Sequence, residues 1–216
     1  MTSIKFCGLT REQDAAFAAD LGASHAGVIF ASSPRQVTAS RASRILEAAG
    51  SQVKRVGVFA SASLDEIVAI TQAVQLDAVQ LHGASCLSLY AEIKEVFPGE
   101  VWAVVAVGSG PVAQRALAQV CDHADAALLD TLVADRTGGT GRAFDWESMA
   151  DSVATAKTRI RVVVAGGLNP GNVARAITAL QPDLVDVSSG VESSPGIKDH
   201  NLMQAFAEAV HSASIV

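Results

Sequence analysis

Two strand-like runs in the last quarter of the chain end in glycine and small polar residues, a pattern that can hold an anion. Arg161-Val162-Val163-Val164-Ala165 passes into Gly166-Gly167-Leu168-Asn169-Pro170, and Leu184-Val185-Asp186-Val187 passes into Ser188-Ser189-Gly190. Both runs are short, β-branched and bounded by breakers, as buried strands are. Residues 170–180 between them have helical spacing, with Asn169 placed as N-cap and Pro170 at the first helical position. Two neighbouring parallel strands whose carboxyl ends expose bare backbone N–H groups form a cradle for an anion, most often a phosphate. One such turn would be read as a tight turn and no more; two on adjacent strands favour phosphate.

A cradle needs a scaffold, and the rest of the chain repeats the same unit. Strands are expected at 4–7, 27–30, 53–59, 78–81, 101–107 and 126–129, ahead of the two already described. Helices are expected at 11–21 (capped by Thr10), 39–49, 64–74, 85–97, 112–121, 170–180 and 201–211. Eight strands alternating with helices, about 25 residues per unit, predict a closed (β/α)8 TIM barrel of the phosphate-binding type, one domain over 1–216. An open doubly wound sheet is the rival, but no GxGxxG follows the first strand. In a barrel, the polar residues at strand carboxyl ends, Cys7, His82, Asp130, Gly166 and Ser188, share the rim where such folds keep their chemistry.

Composition removes several function classes. A chain of 216 residues with 50% hydrophobic and 18% charged residues can bury a substantial core. Its net charge of -6 argues against a nucleic-acid surface or a polybasic membrane patch, so an anionic ligand needs local cations. Cys7, Cys86 and Cys121 form no CxxC and no even framework, which predicts a reducing compartment without disulfides or a zinc site. Cys86 and Cys121 fall in helical stretches and read as packing residues. The five histidines lack metal-ligand spacing, so no metal is expected. Neither a signal-peptide core nor a run of membrane-spanning length is present, and the expected location is the cytoplasm.

The strand ends together form a longer pattern. Lys5-Phe6-Cys7-Gly8-Leu9-Thr10, Ser33-Pro34-Arg35, Val56-Gly57-Val58-Phe59, Val79-Gln80-Leu81-His82-Gly83, Leu128-Leu129-Asp130-Thr131, Gly138-Gly139-Thr140-Gly141, Ala165-Gly166-Gly167-Leu168-Asn169-Pro170 and Val185-Asp186-Val187-Ser188-Ser189-Gly190-Val191-Glu192 resemble, in order, the motif series of the phosphoribosylanthranilate isomerase family. The resemblance implies an aldose-ketose isomerase of tryptophan biosynthesis. It would convert N-(5-phosphoribosyl)anthranilate to 1-(2-carboxyphenylamino)-1-deoxyribulose 5-phosphate by an Amadori rearrangement, without metal or organic cofactor. It also implies Asp130 as the acid that opens the furanose, Cys7 as the base that removes the C2 proton, and Arg35 as the contact to the anthranilate part. His82, Gly139, Gly166, Gly167, Ser189 and Gly190 complete the expected substrate-binding set. The expected partner is a small phosphorylated substrate, with no nucleic acid and no membrane; monomer and homodimer both stay open.

Taken alone, each residue has a plainer reading. Cys7 could be a small core residue, Asp130 a cap, Arg35 a solvated loop cation and His82 a structural histidine. Residues 135–144 have a mobile loop's composition, readable as a lid over the aromatic end of the substrate or as an ordinary surface loop, and they lack the GK[ST] of a nucleotide loop.

Strand alternation puts Lys5 on the face of Cys7 and Asp186 on the face of Ser188. Because the first and eighth strands of a barrel are neighbours, Lys5 and Asp186 are expected to pair beneath the site and bias Cys7 toward thiolate. The fifth strand departs from the family pattern, which resembles W-K-A-x-R-V: here it reads Trp102-Ala103-Val104-Val105-Ala106-Val107, without cations. Two rivals stand beside the isomerase reading. One is the related histidine-pathway aminoaldose isomerase, which has an aspartate where this chain has Cys7; the other is a barrel that binds a phosphorylated metabolite without turnover.

Overall fold

Period-two alternation in short apolar runs separated by helices builds a parallel sheet buried on both faces. The structure, a computed structural model, describes residues 1–83, 87–108, 111–131 and 144–213. The first half runs β1 (Ser3–Phe6), α1 (Glu12–Asp20), β2 (His25–Ile29), α2 (Ala39–Ala48), β3 (Lys54–Phe59), α3 (Leu64–Val74), β4 (Ala78–Leu81) and α4 (Leu87–Val96). The second half runs β5 (Glu100–Val107), α5 (Pro111–Val120), β6 (Ala126–Thr131), a 3-10 turn (Glu147–Met149), α6 (Ala150–Ala156), β7 (Arg161–Val164), α7 (Val173–Leu180) and β8 (Leu184–Val187). A second 3-10 turn (Ser189–Val191), β9 (Glu192–Ser194), β10 (Ile197–Lys198) and α8 (His200–Ala213) end it. Strands β1 to β8 pair in sequence order, all parallel, and β1 closes on β8.

The alternation sorts side chains into two layers. Val56, Ala78, Trp102, Ala126, Leu128, Val163 and Leu184 fill the barrel interior. The intervening residues, among them Phe6, Val79, Val101, Leu129, Val162 and Val185, pack outward against Ile45, Leu46, Ile67, Ile93 and Phe206 of the helices. Burying each such aliphatic or aromatic side chain contributes about 1.5–3 kcal/mol, which is why the helices stay on the sheet. Local caps assist: the Thr38 hydroxyl accepts from the Arg41 N–H, and Ser63 with Glu66 forms a capping box at α3.

Some expectations are corrected. Helix α7 starts at Val173, after the expected position 170, and Asn172 is its N-cap. The Asn169 side chain accepts instead from the Gly171 N–H at 2.9 Å, and that of Asn172 accepts from the Asn169 N–H at 2.8 Å, so the two amides hold a turn ahead of the helix. Thr10 does not cap α1; its hydroxyl donates to the Gly196 carbonyl. Helix α6 and the β9–β10 hairpin had no counterpart in the sequence reading. The stretch 150–156 is rich in alanine, serine and threonine, and packing of Val153 and Ala156 decides its helix where propensity alone is weak.

Candidate active site

The two glycine turns meet as expected. Gly166 and Gly167 have φ of 78° and 70°, a left-handed backbone that L side chains rarely adopt, so the chain reverses at the end of β7 with its amides bare. Across the gap, a Cβ on Gly190 would overlap the Leu168 carbonyl, so glycine there lets the β8 loop lie directly against the β7 loop. A Cβ on Gly166 would stand 2.8 Å from Asp130 Oδ1, which puts the cradle against the end of β6.

One cavity of about 200 Å³ at the carboxyl ends of the strands receives these groups. Cys7, Arg35, His82, Asp130, Gly166, Gly167, Ser189 and Gly190 all line it, and Asp186 also reaches its wall. Lys5 lies wholly buried beneath. Gly139, Cys86 and, apart from Phe144, the stretch 135–144 expected as a lid lie outside the described residues. Cys121 is half-buried and its thiol donates to the Leu117 carbonyl, as a packing residue does.

The expected Lys5–Asp186 pair is present: Lys5 Nζ is 3.0 Å from Asp186 Oδ1 and donates to Gln80 Oε1 at 3.0 Å. Burial opposes the ammonium charge, but Asp186 and Cys7 together hold its pKa above the ordinary lysine value. The expected pull of Lys5 on Cys7 is present but does not prevail. Burial pushes the thiol above its ordinary value; Lys5 pulls it down, and Asp186 pushes it up again. The carboxylate that orders Lys5 cancels part of its field at sulfur, and with the thiol 6% exposed desolvation prevails. Burial also raises the Asp130 carboxyl, against a downward pull from His82. That favours a protonated acid, the form that can donate to a ring oxygen.

Two charged residues without an assigned role join Arg35. Arg35 Nε donates to Glu192 Oε1 at 2.9 Å and Arg35 Nη2 to Glu192 Oε2 at 2.7 Å, and Lys198 Nζ donates to Glu192 Oε1 at 2.9 Å. Burial works against the Glu192 charge, yet Arg35 and Lys198 hold its carboxyl below the ordinary range. Glu192 closes the last motif of the series, a signal that was readable; Lys198 left none. Gln80 was findable by alternation, two residues before His82 on the same strand face.

The fifth strand separates its two departures. Ala103 is fully buried in the outer layer beneath the helices, away from the mouth, whereas Ala106 is exposed and registers with Asp130. Only Ala106 therefore marks a cation missing from the rim. Among the described residues, no cluster of His, Cys, Asp or Glu is placed to hold a metal ion, and no helix is long and apolar enough to cross a membrane.

A closed parallel barrel with its polar groups at the strand carboxyl ends, and glycine turns after strands seven and eight, is a (β/α)8 barrel of the phosphate-binding type. The family model described as N-(5'phosphoribosyl)anthranilate (PRA) isomerase matches residues 4–209. The chain belongs to that isomerase family. It is 42% identical to the N-(5'-phosphoribosyl)anthranilate isomerase of Pseudomonas paraeruginosa, covering 97% of this chain and 95% of the relative. With that of Methanopyrus kandleri it shares 35% identity over 98% and 100%. The solved phosphoribosyl anthranilate isomerase from Thermotoga maritima superimposes with a TM-score of 0.88 at 37% identity, covering 98% of this chain and 100% of that one. Another solved isomerase, TM-score 0.84 at 35% identity over 98% and 100%, is in complex with reduced 1-(o-carboxyphenylamino)-1-deoxyribulose 5-phosphate.

Proposed function

We propose that this chain, working as a single barrel domain in the cytoplasm, performs the Amadori rearrangement of N-(5-phosphoribosyl)anthranilate in tryptophan biosynthesis. The observation that carries the residue roles is the opening of Cys7 and Asp130 into one cavity beside the glycine cradle. In this reading the backbone amides of Gly166, Gly167, Ser189 and Gly190 take the phosphate, and Arg35 takes the ring carboxylate through a planar fork suited to it. Asp130 gives its proton to the furanose oxygen as the C1–O bond breaks, leaving an iminium between C1 and the anthranilate nitrogen. Cys7 sulfur, as thiolate, then takes the proton from C2, and the electron pair flows into the iminium to give an enolamine. Ketonisation, with loss of the O2 proton and gain of one at C1, completes an isomerisation in which nothing is net oxidised.

The test uses the fluorescence of anthranilate derivatives, which makes consumption of phosphoribosylanthranilate directly visible. Purified protein is expected to turn it over, and Cys7→Ser to lose most turnover while still binding phosphate esters, because an alcohol is a far poorer base. Binding of phosphate esters with the substrate left unchanged would instead identify a non-catalytic binding barrel, the reading that the cation-free rim at Ala106 favours. Turnover of the histidine-pathway aminoaldose alone would reassign the substrate.

A further inference from the structure

The side chain of Arg35 is held by a carboxylate that the reaction does not itself need. Glu192 occupies two of the five N–H donors of the guanidinium, those of Nε and of one side of Nη2. What remains is the edge formed by Nη1 and the second Nη2 proton, and Arg35 lies in the cavity wall. Glu192 is 4% exposed and is itself fixed by Lys198, its cross-strand partner in the β9–β10 hairpin. Lys198 Nζ in turn donates to the Ser188 carbonyl at 3.0 Å, at the start of the loop that contributes Ser189 and Gly190 to the cradle.

The charges of this triad explain its make-up. A carboxylate beside an arginine meant for an anionic ligand would cancel its attraction; the Lys198 ammonium on the far side offsets that carboxylate, although burial holds its pKa below the ordinary lysine value against the pull of Glu192. Glu192 then supplies orientation and Lys198 supplies the balance. Resting on the assignment of Arg35 to the ring carboxylate, we propose that Glu192, backed by Lys198, is a positioning residue that restricts Arg35 to one outward edge and so makes the ortho-carboxylate a requirement for tight binding. An arginine left free would keep its charge but would have to be ordered by each ligand, which costs side-chain entropy at every binding event.

Calorimetry with two ligands tests this: reduced 1-(o-carboxyphenylamino)-1-deoxyribulose 5-phosphate and its counterpart lacking the ring carboxyl. Wild-type protein should prefer the first. In Glu192→Gln the affinity for the first should fall about tenfold, while the second stays within about twofold; in turnover KM should rise more than kcat falls. Removing Glu192 leaves Lys198 without a counter-ion, so Glu192→Gln/Lys198→Met, which removes both charges, is measured beside it with a melting curve. The same loss of preference is expected there. Either folded variant discriminating as wild type does would overturn the positioning role. Equal binding of both ligands by wild type would overturn the Arg35 assignment beneath it.

Discussion

Lys5 and Asp186 face each other across the seam that closes the barrel. They are register partners on β1 and β8, their charged atoms lie 3.0 Å apart, and Gln80 accepts a further bond from the ammonium. Nothing apolar could replace one of them alone, because the charge left behind would be buried 8% exposed or less.

Lys5→Met should therefore cost about 3–5 kcal/mol of stability, the usual result of leaving one buried ion unpaired. Lys5→Met/Asp186→Asn should cost less than the single substitution, because neither charge then remains. Denaturant titration of the wild type, both single variants and the double variant gives the coupling. Strictly additive losses would mean that the two side chains do not stabilise each other.

Turnover should show two pH limbs whose assignment is the reverse of the customary one. The reaction needs thiolate and carboxylic acid, while burial raises both Cys7 and Asp130. Between the two values the pair shares one proton that rests mainly on sulfur, and the competent arrangement is a constant minor fraction. Below the carboxyl's value both groups are protonated and thiolate disappears; above the thiol's value both are ionised and the acid disappears. A kcat/KM profile should be flat between limbs that lie above the ordinary carboxyl value of about 4 and above the ordinary thiol value of about 8.5. Alkylation of Cys7, followed by peptide mass, should share the alkaline midpoint. A midpoint below the free-cysteine value would show that Lys5 prevails over burial.

Asp130→Asn should abolish turnover and stabilise the fold. A carboxyl raised in the folded state binds its proton more tightly there than in the unfolded chain. Its contribution is therefore full in acid and is lost as pH rises through the folded value. Asparagine carries no charge to desolvate. The melting temperature should rise by a few degrees at neutral pH and converge with wild type in acid. A drop at neutral pH would mean that the carboxylate is a structural ligand of its surroundings.

Gly27→Ala should damage the reaction more than the fold. A Cβ at Gly27 would stand 3.0 Å from Cys7 Sγ and 3.1 Å from Lys5 Nζ, so the two groups must shift to admit it. Overpacking of this kind costs about 1–3 kcal/mol, and the displaced atoms are those of the proposed base and its cation. A kcat reduced at least about tenfold in a variant that still melts cooperatively is expected. Normal kcat would show that the pocket tolerates movement of the sulfur.

The barrel and most of its mouth were legible because their signals are local. β-branched runs ending in glycine or a polar residue announce strand ends wherever they occur, and in a parallel barrel every strand end falls on one rim. Alternation together with barrel closure predicted the Lys5–Asp186 contact, since Lys5 shares the face of Cys7, Asp186 shares the face of Ser188, and the first and eighth strands must be neighbours. The start of α7 was misplaced because Asn169 and Asn172 each offer a side-chain amide to a backbone N–H, and sequence does not say which offer is accepted.

What the sequence determined by itself was the number and order of the strand-and-turn units, and which residue types stand at their carboxyl ends; these depend on neighbours a few positions away. The tertiary structure alone decided that Arg35 meets Glu192, and which way the Cys7 thiol is pushed. Both depend on how completely the closed barrel excludes water around its buried ions, and desolvation is a property of the whole enclosure and of no single stretch of residues.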